Sequence, residues 1–226
     1  MNIKSVLIGG SVLATCLMSA TAFASGGSNP CSMSRVTSTG TVYYVPSGGP
    51  GRYHLLGWGN GTGGGSTTYS GLLEAAARRC VLVAAATTSS SGDGTDVRNS
   101  VNAARTRYAS ILNSPLKVCT SGHSQGGGGS FNAANLLGAQ CVIAVQPDTV
   151  YTTRIDRPVS SSTDVVCIFS TGDTLAPALP FNAANCRANS TRYSQETTSG
   201  THFAPTSGSG GAPGTAMRSY IDNWMR

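Results

Sequence analysis

Short apolar segments alternate along this chain with segments in which apolar residues recur at helical spacing. The apolar segments are rich in Val, Ile, Leu and Ala, as in Val81–Ala86, which is typical of strands buried on both faces. The predicted strands are Thr41–Val45, Tyr53–Trp58, Val81–Ala86, Leu116–Thr120, Cys141–Val145 and Val165–Ser170. The predicted helices are Thr67–Arg79, Val97–Leu112, Gln125–Leu137 and Thr215–Met225. The alternation predicts an α/β fold with a mainly parallel central sheet covered by helices on both faces.

The N-terminal segment has the pattern of a secretory signal. Lys4 precedes an apolar run from Val6 to Met18, and Ala22-Phe23-Ala24 follows as a cleavage site. The run is too short for a membrane span, so we expect no stable membrane insertion. We therefore predict a signal peptide at residues 1–24 and a single domain at residues 25–226, secreted to the exterior or, as the alternative, held in the periplasm.

Six cysteines follow the predicted signal: Cys31, Cys80, Cys119, Cys141, Cys167 and Cys186. An even number of cysteines in an exported chain predicts disulfides, although six cysteines allow fifteen connectivities. The placement of the predicted strands favours the pairs Cys119–Cys141, Cys167–Cys186 and Cys31–Cys80. No Cys-X-X-Cys spacing occurs, so we expect no zinc site and no metal.

The charge of the chain is mildly positive, at +6, and its basic residues are scattered. Arg78-Arg79 is the one adjacent pair, so the sequence predicts no nucleic-acid partner. A mildly basic surface rich in Ser, Thr and Gly suits an exported protein at the surface of a polymer, and it serves solubility equally well. We expect a monomer.

The chain contains the pattern Gly-X-Ser-X-Gly at Gly122-His123-Ser124-Gln125-Gly126. A predicted strand precedes this pattern and a predicted helix follows it. That order is required of a nucleophile elbow, in which a serine is exposed on a sharp turn between a strand and a helix. A glycine-rich loop without chemistry is the alternative, but the flanking elements favour the elbow and make Ser124 the candidate nucleophile.

An activated serine needs a base, and histidine is the usual one. His123 lies inside the elbow and is expected to face away from the path of the proton. His54 lies on a predicted strand, where packing in the core is the simpler role. His202, in a loop ahead of the C-terminal helix, is therefore the candidate base.

An acid must orient this histidine, and four aspartates lie between Ser124 and His202: Asp148, Asp156, Asp164 and Asp173. Asp164 begins an apolar strand and so lies at the wrong edge of the sheet. Asp156 stands between two arginines and is most simply a solvated ion pair. Asp173 follows a strand at the carboxyl edge, where open α/β sheets build their sites. We predict Asp173, with Asp148 as its rival.

Three blocks of this chain resemble the motifs of bacterial cutinases and polyester (PET) hydrolases. They are Gly122–Ser130, Asp173–Pro177 and His202–Pro205, in this order, and a looser resemblance extends from about Val42 to the C-terminus. The resemblance implies an α/β-hydrolase fold without a large lid and a triad of Ser124, His202 and Asp173. It also implies an oxyanion hole formed by Gln125 and a residue of an earlier loop.

That earlier loop is the glycine-rich segment Gly59–Gly65, which follows a predicted strand. It has no lysine for phosphate binding, so an amide that stabilises an oxyanion is the more economical role. A flexible turn is the alternative. The register of the resemblance makes Gly61 the amide donor, at a position where the family carries an aromatic residue.

The cleft is expected to be lined by Asn60, Thr62 and Tyr151. The segment after Cys141–Val145 lacks the tryptophan that polyester hydrolases carry there. We therefore expect short, flexible aliphatic acyl chains to be favoured over aromatic ones. An aromatic residue placed at position 61 or 149 is expected to raise activity on aromatic esters.

The sequence thus predicts a secreted serine ester hydrolase that uses an acyl-enzyme, no cofactor, and a polymeric or bulky carboxylic ester as substrate. A small-ester carboxylesterase or deacetylase is the alternative within enzymes. A noncatalytic surface-binding module is the alternative outside them. Such a module usually lacks a member of the triad, whereas all three residue types are present in this chain.

Overall fold

A computed structural model describes residues 30–65, 67–89 and 91–226, and the predicted signal peptide lies outside the described residues. The strands are β1 (Ser32–Ser38), β2 (Thr41–Ser47), β3 (His54–Gly59), β4 (Val81–Ala86), β5 (Val118–His123), β6 (Cys141–Val145), β7 (Asp164–Gly172) and β8 (Arg192–Thr201). The α-helices are α1 (Ser70–Ala77), α2 (Thr95–Arg107), α3 (Gln125–Leu137), α4 (Ala183–Ala188) and α5 (Gly211–Trp224).

The strands form one sheet in the order β1-β2-β4-β3-β5-β6-β7-β8. β1 pairs with β2, and β2 with β4, in antiparallel fashion, whereas every pair from β4 to β8 is parallel. The carboxyl ends of β5, β6, β7 and β8 therefore lie at one edge of the sheet. The chain has a mixed α/β fold with a mostly parallel sheet, as predicted.

Helices pack on both faces of this sheet, because neighbouring residues of each buried strand point to opposite sides. Leu55 of β3 belongs to a core shared with α2 and α3, which includes Phe131. Leu56, the next residue, belongs to a second core shared with α1 and α5, which includes Met217. The apolar strands predicted from the sequence are buried on both faces for this reason.

The predicted elements differ from the observed ones mainly at the edges of the sheet. β4, β6 and α3 have the predicted bounds, whereas β1, β8 and α4 were not predicted. β1 and β8 contain no buried residue and no apolar run. These edge strands are held by backbone hydrogen bonds to a neighbour, and such bonds leave no apolar pattern in the sequence.

Three disulfides form between segments of the described residues. Cys31–Cys80 joins the start of β1 to the start of β4, Cys119–Cys141 joins β5 to β6, and Cys167–Cys186 joins β7 to α4. Their Cα–Cα distances are 5.4, 4.6 and 6.7 Å respectively. These are the three pairs that the sequence favoured, and disulfides of this kind are consistent with an extracellular protein.

Candidate active site

Ser124 occupies the turn between β5 and α3, at the carboxyl edge of the sheet. Its backbone has φ of 53° and ψ of −118°, a conformation that non-glycine residues rarely adopt. Glycine is needed on both sides of this turn: a Cβ at Gly122 would overlap the Gly126 carbonyl, and one at Gly126 would overlap that of Gly59. The close approach of β3, β5 and α3 thus keeps the serine in its strained conformation.

Ser124, His202 and Asp173 form a continuous hydrogen-bonded line. The distance from Ser124 Oγ to His202 Nε2 is 3.0 Å, and that from His202 Nδ1 to Asp173 Oδ2 is 2.8 Å. His202 follows β8 directly and Asp173 follows β7 directly, so the parallel strands bring both loops to the edge where Ser124 lies. Both side chains are buried while Ser124 remains partly accessible.

The carboxylate of Asp173 is held in its ionised form by its hydrogen bonds. Oδ2 faces His202, and Oδ1 accepts the amides of Leu175 at 2.9 Å and Ala176 at 2.8 Å. Burial raises the pKa of Asp173, but these hydrogen bonds outweigh burial, and the resulting pKa lies below its ordinary value. A carboxylate in this state can orient an imidazole and stabilise its cation.

Asp148, the rival acid in the sequence, has its carboxylate fully engaged elsewhere. It accepts the amides of Val150, Tyr151 and Thr152 at 3.0, 2.9 and 3.0 Å, and the Thr152 hydroxyl at 2.6 Å. This arrangement caps the loop after β6, much as an aspartate caps a helix. The geometry therefore favours Asp173 as the partner of His202 and assigns Asp148 a role in the loop.

The two residues expected to form the oxyanion hole differ in their surroundings. Gln125 is the first residue of α3, and an amide in the first turn of a helix has no partner within the helix. The backbone amide of Gln125 can therefore face a substrate, while its side-chain Nε2 donates to the Thr152 carbonyl at 3.1 Å. The amide of Gly61, by contrast, donates to the hydroxyl of Tyr69 at 3.2 Å, so it is not the free donor that the sequence suggested.

Gly61 is a glycine because the elbow approaches it closely. A Cβ at this position would lie 2.9 Å from Tyr69 Oη, 3.1 Å from Ser124 Cβ and 3.2 Å from His123 Nδ1. These distances are shorter than ordinary carbon contacts, so no side chain fits without displacing a neighbour. An aromatic residue at this position would have to displace at least one of these three side chains.

A cavity of about 180 Å³ opens beside Ser124, between the glycine-rich loop and the segment after β8. It is lined by Gly61, Thr62, Gly63, Gly64, Thr68, Tyr69, His123, Ser124, His202, Phe203 and Thr206. Of the predicted cleft residues, Thr62 lines the cavity and the other two do not. Asn60 is fully buried and bonded to Trp58, Ala86 and Thr88, while Tyr151 is 78% exposed outside the cavity. The prediction was wrong for Asn60 because its amide satisfies buried backbone groups.

Tyr69 and His123 line the same cavity and were not predicted to take part in the site. The Tyr69 hydroxyl is 2.8 Å from His123 Nδ1, and His123 Nε2 is 2.9 Å from the His202 carbonyl oxygen. Burial, with the neighbouring His202 as a second cause, lowers the pKa of His123 to about 3. No sequence signal connects Tyr69 with His123, because 54 positions separate them and only the tertiary fold joins them.

Two other classes of site are absent from the described residues. No group of three or more His, Cys, Asp or Glu side chains within these ranges is arranged to hold a metal ion. None of the helices in the described part of the chain is long and apolar enough to cross a membrane. Comparisons with models of known protein families and with curated proteins find no significant match to this chain. The site geometry and the motifs are therefore the basis for a function.

Proposed function

We propose that this protein is a serine ester hydrolase of the α/β-hydrolase class, with Ser124 as nucleophile, His202 as base and Asp173 as orienting acid. The observation that carries the proposal is the hydrogen-bonded line from Ser124 Oγ through His202 to Asp173, at a strained turn between a strand and a helix. The lining of the cavity by Ser124 and His202 adds support, because a substrate there would contact both reacting atoms.

In the acylation step, His202 Nε2 takes the proton from Ser124 Oγ as this oxygen attacks the ester carbonyl carbon. Asp173 stabilises the imidazolium that results. The negative charge that develops on the carbonyl oxygen is stabilised by backbone amides, with that of Gln125 at the start of α3 as the first donor. The intermediate collapses when the C–O bond breaks and Nε2 returns its proton to the leaving alcohol.

Deacylation repeats the same steps with water as the nucleophile. His202 Nε2 removes a proton from a water molecule, whose oxygen attacks the acyl carbon bound to Ser124 Oγ. The second tetrahedral intermediate breaks down to release the carboxylic acid, and the proton returns to Ser124. Ionised Asp173 keeps Nδ1 protonated throughout, so that Nε2 is free to accept a proton in each half-reaction.

The surroundings of the site support a polymeric or bulky hydrophobic ester as substrate. Large apolar side chains are exposed on the three connections that follow β6, β7 and β8, namely Val150, Tyr151, Leu175, Leu179, Phe181 and Phe203. We call these residues the apolar rim. An exposed apolar surface beside a cleft is typical of a site that binds a hydrophobic partner. The small cavity beside Ser124 favours a short acyl or alcohol unit, which a small soluble ester would also satisfy.

The proposed site of action is outside the cytoplasm. Three disulfides in the described residues are typical of an oxidising compartment, and the N-terminal pattern of the sequence predicts export. An enzyme that acts on an insoluble polymer must reach it outside the cell. Secretion therefore agrees with the proposed substrate.

The proposal is tested by hydrolysis of p-nitrophenyl esters of graded chain length and of polyester films. Ser124→Ala should lower kcat by a factor on the order of 10⁴ to 10⁶ while the melting temperature stays close to that of the wild type. Near-wild-type turnover in this variant would refute the serine mechanism. Activity on soluble esters with none on any film would favour the small-ester carboxylesterase.

The assignment of the acid is tested by a matched pair of substitutions. Asp173→Asn should lower kcat about 10⁴-fold, because the amide favours the wrong imidazole tautomer. Asp148→Asn should mainly lower the melting temperature, because its carboxylate accepts four hydrogen bonds from the loop after β6. The reverse ranking of the two kcat values would show that Asp148 is the catalytic acid.

A further inference from the structure

A chain of buried hydrogen bonds connects the glycine-rich loop to the backbone of His202. The amide of Gly61 is 3.2 Å from Tyr69 Oη, and Tyr69 Oη is 2.8 Å from His123 Nδ1. His123 Nε2 is in turn 2.9 Å from the carbonyl oxygen of His202. Tyr69 is 3% exposed, His123 is 2% exposed and His202 is 6% exposed, so these bonds are shielded from bulk water.

The direction of each bond in this chain follows from the groups that must donate. The Gly61 amide can only donate and the His202 carbonyl can only accept. Nε2 of His123 must therefore carry a proton, and the Tyr69 hydroxyl accepts from Gly61 while it donates to Nδ1. The low pKa of His123 keeps the ring neutral at ordinary pH, so a single tautomer satisfies every bond.

The side chains of Tyr69 and His123 are both held in place by packing against neighbouring rings. The ring of Tyr69 packs against Trp58 with 5.2 Å between centroids, and Trp58 Nε1 donates to Asn60. The ring of His123 lies 4.6 Å from the ring of His202. The residue before His202 is also held, because the side-chain amide of Gln146 donates to the Thr201 carbonyl at 2.8 Å.

We propose that Tyr69 and His123 act as a pair of positioning residues, which fix the backbone of His202 relative to Ser124 and hold the Gly61 loop against the elbow. This inference rests on the proposed function, since it concerns the geometry of the same hydrolytic site. Neither residue exchanges a proton with the substrate. Each acts through another group: His123 through the His202 carbonyl, and Tyr69 through His123 and the Gly61 amide.

Tyr69 and His123 connect the glycine-rich loop to the loop after β8 through hydrogen bonds. A displacement of His202 by about 1 Å can cost two orders of magnitude in rate, because the proton must pass between atoms in hydrogen-bond contact. His202 lies after β8, an edge strand without buried residues, which by itself offers little restraint. The hydrogen bond from His123 connects this loop to β5 in the centre of the sheet.

The test compares Tyr69→Phe, His123→Gln and His123→Leu with a matched control, Tyr53→Phe. Tyr53 is equally buried and its hydroxyl donates to the Gly48 carbonyl at 2.7 Å, away from the site. Tyr69→Phe should lower kcat on a p-nitrophenyl ester about tenfold and leave KM within about twofold of the wild type. Tyr53→Phe should have a melting temperature similar to that of Tyr69→Phe and a kcat equal to that of the wild type.

The two His123 variants separate positioning from packing. The side-chain amide introduced by His123→Gln can still donate to the His202 carbonyl, so this variant should keep more of the wild-type kcat than His123→Leu. In the His123→Leu background, Tyr69→Phe should lower kcat by a smaller factor than it does in the wild type, because the part of its effect that passes through the imidazole is already lost. If His123→Leu does not fold, Tyr69→Phe and His123→Gln still decide the outcome against Tyr53→Phe.

Labelling with a p-nitrophenyl phosphonate separates failure of this inference from failure of the proposed function. If wild-type protein is not labelled at Ser124, the hydrolase proposal itself fails. If Ser124 is labelled, wild-type kcat in Tyr69→Phe would overturn the positioning role. Equal losses of kcat in Tyr69→Phe and Tyr53→Phe, or additive losses in the double variant, would also overturn it.

Discussion

Gly61 lies where Tyr69, His123 and Ser124 converge, and its missing side chain is what allows them to meet. The resemblance to polyester hydrolases suggests an aromatic residue at this position as a way to bind aromatic acids. The close distances mean that such a substitution requires Tyr69, Ser124 or His123 to move. Position 149 is no better, because Thr149 is buried and donates its amide and hydroxyl to Asn182.

Gly61→Ala should therefore lower activity on every ester instead of shifting the preference. We expect a loss in kcat on the order of tenfold or more, because the added methyl group must push the glycine-rich loop away from Ser124. Gly65→Ala is the control in the same loop, since a Cβ there meets nothing within 4 Å. An increase in activity on terephthalate esters in Gly61→Ala would contradict this account of the site.

His123 also predicts how stability depends on pH. Its pKa is about 3 in the folded protein and near 6.5 in an unfolded chain, with burial as the main cause. Between these values the unfolded state binds one more proton than the folded state. The free energy of unfolding should therefore decrease as the pH falls through this range, by about 1.4 kcal/mol per pH unit from this group alone.

The measurement is urea unfolding of wild type and His123→Gln at a series of pH values between about 7 and 4. The variant cannot take up this proton, so the difference in stability between the two proteins should shrink as the pH falls. Titrating groups that do not interact with His123 are common to both chains and cancel in the comparison. Parallel curves would show that His123 is not held neutral by burial.

At the scale of elements, α3 is a helix that begins with four consecutive glycines after Gln125. Glycine is a poor helix former, by about 1 kcal/mol per residue relative to alanine. The contacts of the helix explain its composition: a Cβ at Gly129 would overlap the Ser91 carbonyl, and one at Gly128 would lie 2.9 Å from Thr153 Cβ. Backbone packing therefore outweighs helix propensity in this element.

Gly129→Ala should destabilise the protein despite its better helix propensity. We expect a loss of about 2 kcal/mol in the free energy of unfolding, because the methyl group must displace the segment around Ser91. Chemical denaturation measures this loss. Leu136→Ala is the control in the same helix, since Leu136 is exposed and should change stability much less. If Gly129→Ala were more stable than the wild type, helix propensity would outweigh backbone packing in α3.

Two of the three elements that the sequence missed, β1 and β8, contain no buried residue. β8 carries Thr201, next to His202, yet its alternating polar residues do not predict a strand inside a parallel sheet. It exists because β7 offers backbone groups along nine residues for pairing. Its partner thus decides its conformation, which no local pattern records.

At the scale of the whole molecule, the apolar rim lies on one end of the sheet. Six of the seven exposed large apolar side chains in the described residues follow β6, β7 or β8, and the seventh, Leu136, lies near the far end of α3. Because β6, β7 and β8 are parallel, the segments that follow them begin at the edge of the sheet where Ser124 lies, and Phe203 lines the cavity beside Ser124. A hydrophobic polymer surface could contact the rim while one ester enters the cavity.

Leu179→Ser and Phe181→Ser should slow hydrolysis of a polyester film and leave kcat on a soluble p-nitrophenyl ester near the wild-type value. Loss of one such side chain from an apolar contact should weaken adsorption by about tenfold, given about 1.5 kcal/mol for its burial. Leu136→Ser, on the opposite side, is the control and should change neither rate. Equal losses on film and soluble ester would show that the rim serves the fold instead of the polymer.

Much of this molecule followed from local sequence signals. The central strands were predicted because two-sided burial demands continuous apolar runs, and α3 because an apolar strand, Gly-X-Ser-X-Gly and a helical segment follow one another. The predicted strand ends placed Ser124 and Asp173 at one edge of a parallel sheet, whereas His202 was chosen by elimination among three histidines, because β8 was not predicted. Each of these inferences depends on residues close together in the chain, where pattern and structure are directly related.

Tertiary structure alone decided which groups meet at the site. The sequence left Asp148 as a rival to Asp173, treated the Gly61 amide as free and gave Tyr69 no role. In the structure Asp173 bonds to His202 whereas Asp148 bonds to its own loop, and the Gly61 amide donates to Tyr69, the residue before α1. Contacts between distant residues depend on how twisted strands and packed helices align, and that alignment has no counterpart in any local pattern of residues.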